Sequence, residues 1–129
     1  MIRAQIPPRP APAPVLTTAR LTLRLPDLGD FEGFAAFFAS PRAVFVGGPV
    51  PRETAAHVFG TIIEHWSLRG WGPFAIVPHG QAGAIGTTGP WFPAGWPEAE
   101  LGWMLWNPAH EGHGLMHEAA TAARTHAYH

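Results

Sequence analysis

Between Pro97 and Glu118 the chain reads PEAELGWMLWNPAHEGHGLMHE, a strand-like run followed by two closely spaced glycines and a helical pattern. That order constrains the fold more than any other stretch. Ala99 to Trp106 reads as a strand, and Asn107-Pro108 closes it, because the residue before a proline is held extended. A helix then starts at Glu111 or Gly112. Gly112 and Gly114 carry no Cβ, so the backbone there can curl tightly and come close to a ligand. A helix start offers N–H groups without intrahelical partners and a partial positive charge. Strand, glycine loop and helix start in succession are therefore a recurring way to hold a phosphate. His113 adds a donor when protonated, whereas Glu111 opposes an anion unless its carboxylate points away. The spacing is G-x-G only, without the longer dinucleotide or P-loop pattern, so a tight turn explains the segment equally well.

The remaining elements follow from periodicity. Arg20 to Leu25 alternates polar and apolar residues and reads as a first strand with one buried face. Asp27 or Asp30 then caps a helix, whose stripe of Phe31, Phe34 and Phe38, widened by Phe37, reads as core. Ser40-Pro41 ends it, and Val44 to Pro49 reads as an apolar loop around Gly47-Gly48. Pro51 suits the first turn of a second helix, with Ala55, Val58, Ile62 and Trp66 as its buried stripe and Gly70 as its stop. Phe74 to Val77 and Gln81 to Thr88 read as a hairpin turning near Gly80, with Gly83 and Gly86 marking a bulge or a close backbone approach. Gly89 to Pro97 reads as a loop, and its Trp91-Phe92 pair is the one expected at the surface. The expected order is strand, helix, helix, three strands, helix, an α+β or mixed α/β domain.

Composition sets the outer limits. At 129 residues one domain is expected, large enough for a core without staples. The absence of cysteine excludes disulfides, thiolate metal sites and cysteine nucleophiles. A formal net charge of -1 provides no field to recruit nucleic acid or an anionic membrane, and no apolar run spans a bilayer. A reducing cytoplasm is the expected setting. Pro7, Pro8, Pro10, Pro12 and Pro14, interleaved with alanines, make residues 1–14 read as an extended arm ahead of a domain at 15–129.

Taken together, Glu100-Leu101-Gly102-Trp103, Asn107-Pro108 and Gly112 to Ala119 resemble the acetyl-CoA-binding motif of the GNAT superfamily of N-acetyltransferases. The closest likeness is to its ribosomal-protein N-acetyltransferase branch, which reads E-L-G-W/Y, a proline, then G-x-G-Y/L-A-T-E-A. Leu16 to Arg24 looks like that branch's opening, T-x-R-L-x-L-R, and Trp71 to Ile76 and Gly83 to Gly86 resemble its second and third strands. The likeness runs from about Val15 to Tyr128.

The resemblance implies an acyl-CoA N-acyltransferase fold, with a central, mainly antiparallel sheet flanked by helices. It implies acetyl transfer from acetyl-CoA, the co-substrate, to a primary amine, either a protein N-terminus or a small molecule. Main-chain groups around Trp103, Met104 and Leu105 would receive the pantetheine arm, and the amides of Gly112, His113, Gly114, Leu115 and Met116 the pyrophosphate. An amide near Met104 or Leu105 would steady the oxyanion, and Glu100, ahead of Glu98, would take the amine's proton. The family often has Gln or Arg where Ala109 stands, and Tyr128 does not match its usual acid. Its members continue past this helix with a strand, a helix and a closing strand that form the other wall of the cleft. A domain lacking those last elements is thus expected, and the alternative is a catalytically crippled fragment that binds coenzyme A or one that only associates with another chain. Its open sheet edge would invite a homo-oligomer. His110, His113 and His117 are a weaker rival as a zinc site, since H-E-G-H is not H-E-x-x-H; no metal is assigned.

Overall fold

The computed structural model describes residues 14–92 and 95–127. The arm at 1–14 lies almost wholly outside the described residues, as does Tyr128. Five strands form one antiparallel meander in chain order: β1 (Leu16–Thr17), β2 (Leu21–Arg24), β3 (Phe74–Pro78), β4 (Gly86–Trp91) and β5 (Glu100–Leu105). Helices α1 (Phe31–Phe38) and α2 (Arg52–Arg69) pack on one face and α3 (Leu115–Ala127) on the other. This is the expected α/β class, with a short β1 added ahead of the expected first strand.

Alternation in β2 buries Leu21 and Leu23 completely. Asp27 and Asp30 share the capping duty: Asp27 accepts from the Gly29 N–H, and Asp30 accepts from the Asp27 N–H. Asp30 is also buried against Arg24, whose two terminal nitrogens donate to its carboxylate at 2.8 Å each. Phe34, Phe37 and Phe38 are buried as their spacing requires, in a cluster with Phe59 and Ile62 of α2. Trp106, just past β5, lies against α1. A Cβ on Gly33 would stand 2.8 Å from Cε3 of its ring, so only glycine lets the helix approach this closely. Gly70 ends α2 with φ 74° and returns its N–H to the Trp66 carbonyl, a left-handed helix stop. On the opposite face Ala119 and Ala123, both fully buried, bring α3 down onto Leu21, Leu23, Phe74, Ile76 and Ile85.

Five local expectations are corrected. α3 starts at Leu115, not at Glu111 or Gly112, because both loop glycines take a left-handed backbone that a helix cannot continue. Residues 81–84 belong to the turn, and β4 is Gly86–Trp91, running through Gly89 and Pro90. Pairing with β3 stops at Thr88, opposite Phe74, so the missing N–H of Pro90 removes no ladder bond there. Residues 41–46 coil into a 3-10 helix rather than a loop, closed by Gly47 at φ 92°. Pro51 caps α2 from outside its first turn. Finally, Trp91 stacks on His65 at 4.9 Å and is half-buried, while Trp103 and Trp96 are the exposed tryptophans. Gly86 does mark a close approach: a Cβ there would fall 2.1 Å from the Met104 carbonyl oxygen.

Candidate functional site

Among the described residues β5 is an edge strand, paired only with β4. Antiparallel pairing engages alternate residues. The Trp106 N–H donates to Ile85, the Thr88 hydroxyl donates to the Gly102 carbonyl, and the Met104 carbonyl is turned onto Gly86. Residues 102, 104 and 106 thus address β4, which leaves the main-chain groups of Leu101, Trp103 and Leu105 on the outer edge. Of the two amides considered for an oxyanion, Met104 is committed to the sheet and Leu105 faces outward. Trp103 is 61% exposed, so the middle of this edge is open.

β5 ends at Leu105, and the chain turns through Asn107, whose side chain accepts from the Ala109 N–H. A 3-10 turn (Pro108–His110) follows, then the glycines. Gly112 and Gly114 have φ of 80° and 73°, a left-handed backbone that side chains with a Cβ resist. The Gly114 carbonyl accepts the first helical bond, from Glu118. Because position 114 has no side chain, no residue caps α3 from there. Nothing lies within 4 Å of a Cβ position on Gly112, and only Arg20 Nη2, at 3.5 Å, near that of Gly114. The helix start is accessible from outside.

Two carboxylates stand near this loop, and both are paired by arginines distant in sequence. Glu111 pairs with Arg42 of the 3-10 segment after α1. Glu118 accepts from Arg20 Nε at 2.7 Å, from the Arg20 N–H at 2.9 Å and from the Thr18 hydroxyl. Those bonds, the hydroxyl's first, hold the Glu118 carboxyl down at about 2. Arg20 Nη1 also donates to the His113 carbonyl at 2.9 Å, tying the loop to the start of β2. Arg42 thus sets a positive charge against Glu111, the carboxylate expected to oppose an anion. Arg42 Nη1, Trp106 Nε1 and His110 Nδ1 are buried nearby without a partner among the described residues.

The geometry groups the sequence-derived residues unequally. Leu23, Ile76, Gly86 and Leu105 form one row across the sheet, two residues in from the Leu21–Pro78 end. Gly112, His113, Gly114, Leu115 and Met116 gather at that end, where Arg20 reaches them. Glu100 opens β5 at the opposite end, paired with Trp91 and about 17 Å from Leu105 at the usual strand rise. It lines a cleft of about 850 Å³ with Trp71, Pro90, Leu101, Arg124 and His126. Glu98 sits in a bend ahead of β5 and does not share its alternation. α3 crosses the sheet diagonally, from Arg20 at its first turn to Phe74, whose ring meets His126 at 5.7 Å. Among the described residues no three His, Cys, Asp or Glu side chains converge as a metal site. Sequence reasoning missed Arg20 and Arg42 as loop partners, although Arg20 and Glu118 both stand inside the motifs that carried the family resemblance.

Fold and site define an α/β domain whose edge strand runs through a glycine loop into an uncapped helix. Residues 20–129 match the family model described as acetyltransferase (GNAT) domain. An acetyltransferase from Agrobacterium tumefaciens str. C58 superposes with a TM-score of 0.82 at 36% identity, over 99% of this chain and 70% of that one. A GNAT-family acetyltransferase from Bordetella pertussis gives 0.74 at 22% identity, over 88% and 71%. One from Bacillus anthracis gives 0.71 at 19%, over 88% and 66%; these last two speak for the fold alone. The chain belongs to the GNAT acetyltransferase domain family.

Proposed function

We propose that this chain binds acetyl-CoA and passes its acetyl group to a primary amine, in the manner of the ribosomal-protein N-acetyltransferase branch. The observation that carries this reading is the α3 start. Its uncapped amides, opened by Gly112 and Gly114, lie at the sheet end where the outer edge of β5 finishes, and arginines pair both adjacent carboxylates. The pyrophosphate would lie on the amides of residues 112–116. The pantetheine arm would run along the edge, exchanging hydrogen bonds with Trp103 and Leu105 as another strand would.

The acceptor nitrogen attacks the thioester carbonyl, the carbon–sulfur bond breaks, and the thiolate leaves with a proton to become the thiol. An α-amino group has a pKa of about 7.7–8.0 and a lysine about 10.4, so a base must first take a proton. Glu100, exposed at the far end of β5 and beside the cleft, is assigned that part, directly or through water. The Leu105 amide, about 17 Å from Glu100, belongs to the edge that binds the arm rather than to the oxyanion. Positioning supplies most of the rate, because the thioester is already activated.

The acceptor is a peptide N-terminus or a small amine, and the setting is the cytoplasm; no described helix is long and apolar enough to cross a membrane. Calorimetric titration with coenzyme A, together with thiol release from acetyl-CoA in the presence of free and N-terminally blocked peptides, tests the reading. Absence of binding at millimolar coenzyme A refutes it. One observation favours a second reading: Trp103 is exposed in the middle of an unpaired strand edge, as in a chain that pairs with another copy. Size-exclusion chromatography with and without coenzyme A separates the two, since an edge occupied by the arm cannot also pair.

A further inference from the structure

We propose that Arg20 is a ligand of the pyrophosphate, contributing its Nη2 group to the anion site at the start of α3. The inference rests on the reading that the glycine loop holds coenzyme A. Two of the three guanidinium nitrogens are committed within the protein: Nε donates to Glu118 at 2.7 Å, and Nη1 to the His113 carbonyl at 2.9 Å. The third, Nη2, makes no hydrogen bond among the described residues. It is also the nearest atom to the place a Cβ would occupy on Gly114, at 3.5 Å. The side chain is 49% exposed, so the guanidinium meets solvent beside the loop.

The fork is held before any ligand arrives. Glu118 grips Arg20 by side chain and main chain together and is gripped in turn by Thr18. A guanidinium fixed on two sides loses little freedom when its third donor takes a phosphate oxygen, and its planar geometry suits that oxygen. Lysine could not reproduce this, because its three donors radiate from one point. The same arrangement gives glycine at 114 a second purpose: a side chain there would stand between Nη2 and the loop.

The test uses the full chain with coenzyme A, 3′-dephospho-coenzyme A and pantetheine, the last having no phosphate. Binding is read by titration, with the Arg20 Nε–H resonance followed by NMR. Arg20→Gln is expected to weaken coenzyme A and its dephospho form alike, by about tenfold to a hundredfold, as for a lost hydrogen bond between charged groups. Pantetheine is expected to bind unchanged. Arg20→Lys keeps the charge and is expected to recover only part of the loss. The Arg20 resonance should move with the two phosphate-bearing ligands and not with pantetheine.

Equal losses for pantetheine and coenzyme A would reduce Arg20 to a brace for the loop. Affinity within threefold of the parent in Arg20→Gln would overturn the proposal and leave the acetyltransferase reading standing. A loss confined to coenzyme A would move the contact to the 3′-phosphate and overturn the pyrophosphate assignment. Failure of the unaltered chain to bind coenzyme A would sink both.

Discussion

Gly114→Asp separates a phosphate site from a simple turn, because it should harm binding far more than folding. The left-handed backbone at φ 73° penalises an L side chain by about 1–2 kcal/mol. No capping gain offsets this, since a cap hydrogen bond needs extended backbone. The new carboxylate would lie close to Arg20 Nη2, 3.5 Å from the Cβ position, and an exposed pair of that kind returns at most about 1 kcal/mol. The net loss of stability is about 1 kcal/mol, a fall in Tm of about 4 °C for a chain of this size. Binding is a different matter. A carboxylate about 4 Å from a phosphate charge opposes it by about 4 kcal/mol at the effective dielectric near a protein surface. That is roughly a thousandfold in affinity, before counting the diversion of Arg20. Thermal melts and calorimetric titration with coenzyme A measure the two quantities on one sample. Gly114→Ala is the control: it bears the same strain without the charge and should keep much of the affinity. Gly114→Asp binding within threefold of the parent would make the loop only a turn. A collapse in Tm would show that the conformational bookkeeping is wrong.

Gly86→Val should destabilise the chain by about 3 kcal/mol or more, since its Cβ would meet a carbonyl oxygen at 2.1 Å and neither strand can yield without losing the ladder; a denaturant midpoint like the parent's would contradict this. His65 is buried, accepts from the Phe92 N–H at Nε2 and so donates from Nδ1 to the Trp71 carbonyl, the neutral form. Burial, foremost, holds its pKa below the ordinary 6.5. In the window below 6.5 and above the folded value, the unfolded chain binds the extra proton. Its contribution is therefore full above 6.5 and is lost as pH falls through the folded value. Urea melts of the parent and His65→Gln between pH 7.5 and 5 should show the steeper acid loss in the parent; parallel curves would refute the assignment.

How much of this was legible in the chain varies by element. The phenylalanine stripe of α1, the alternation of β2 and the glycine stop of α2 are local patterns, and the structure realises them. β4 reads from the sequence as Gln81 to Thr88, too far toward the N-terminus, because Gly89 and Pro90 look like breakers. They are tolerated because β3 has already ended there, and because Gly89 passes so close to Gly72 that a Cβ would stand 2.6 Å from its carbonyl oxygen. No window of sequence contains that information. The tryptophans were misjudged for a similar reason, since His65, more than twenty residues away, buries Trp91 from another element.

The glycine loop shows the division most directly. Its existence, the strand before it and the helix after it follow from residues 97–118 alone, because glycine and proline act on the backbone locally and periodicity needs no partner. Whether the loop can receive an anion did not. Glu111 and Glu118 lie within and beside it, and in sequence they only add negative charge. Arg42 and Arg20, about 70 and 100 positions earlier, set positive charge against them through packing that only the folded sheet provides. Charge at a site is a sum over neighbours in space, so this decision belonged to the tertiary structure.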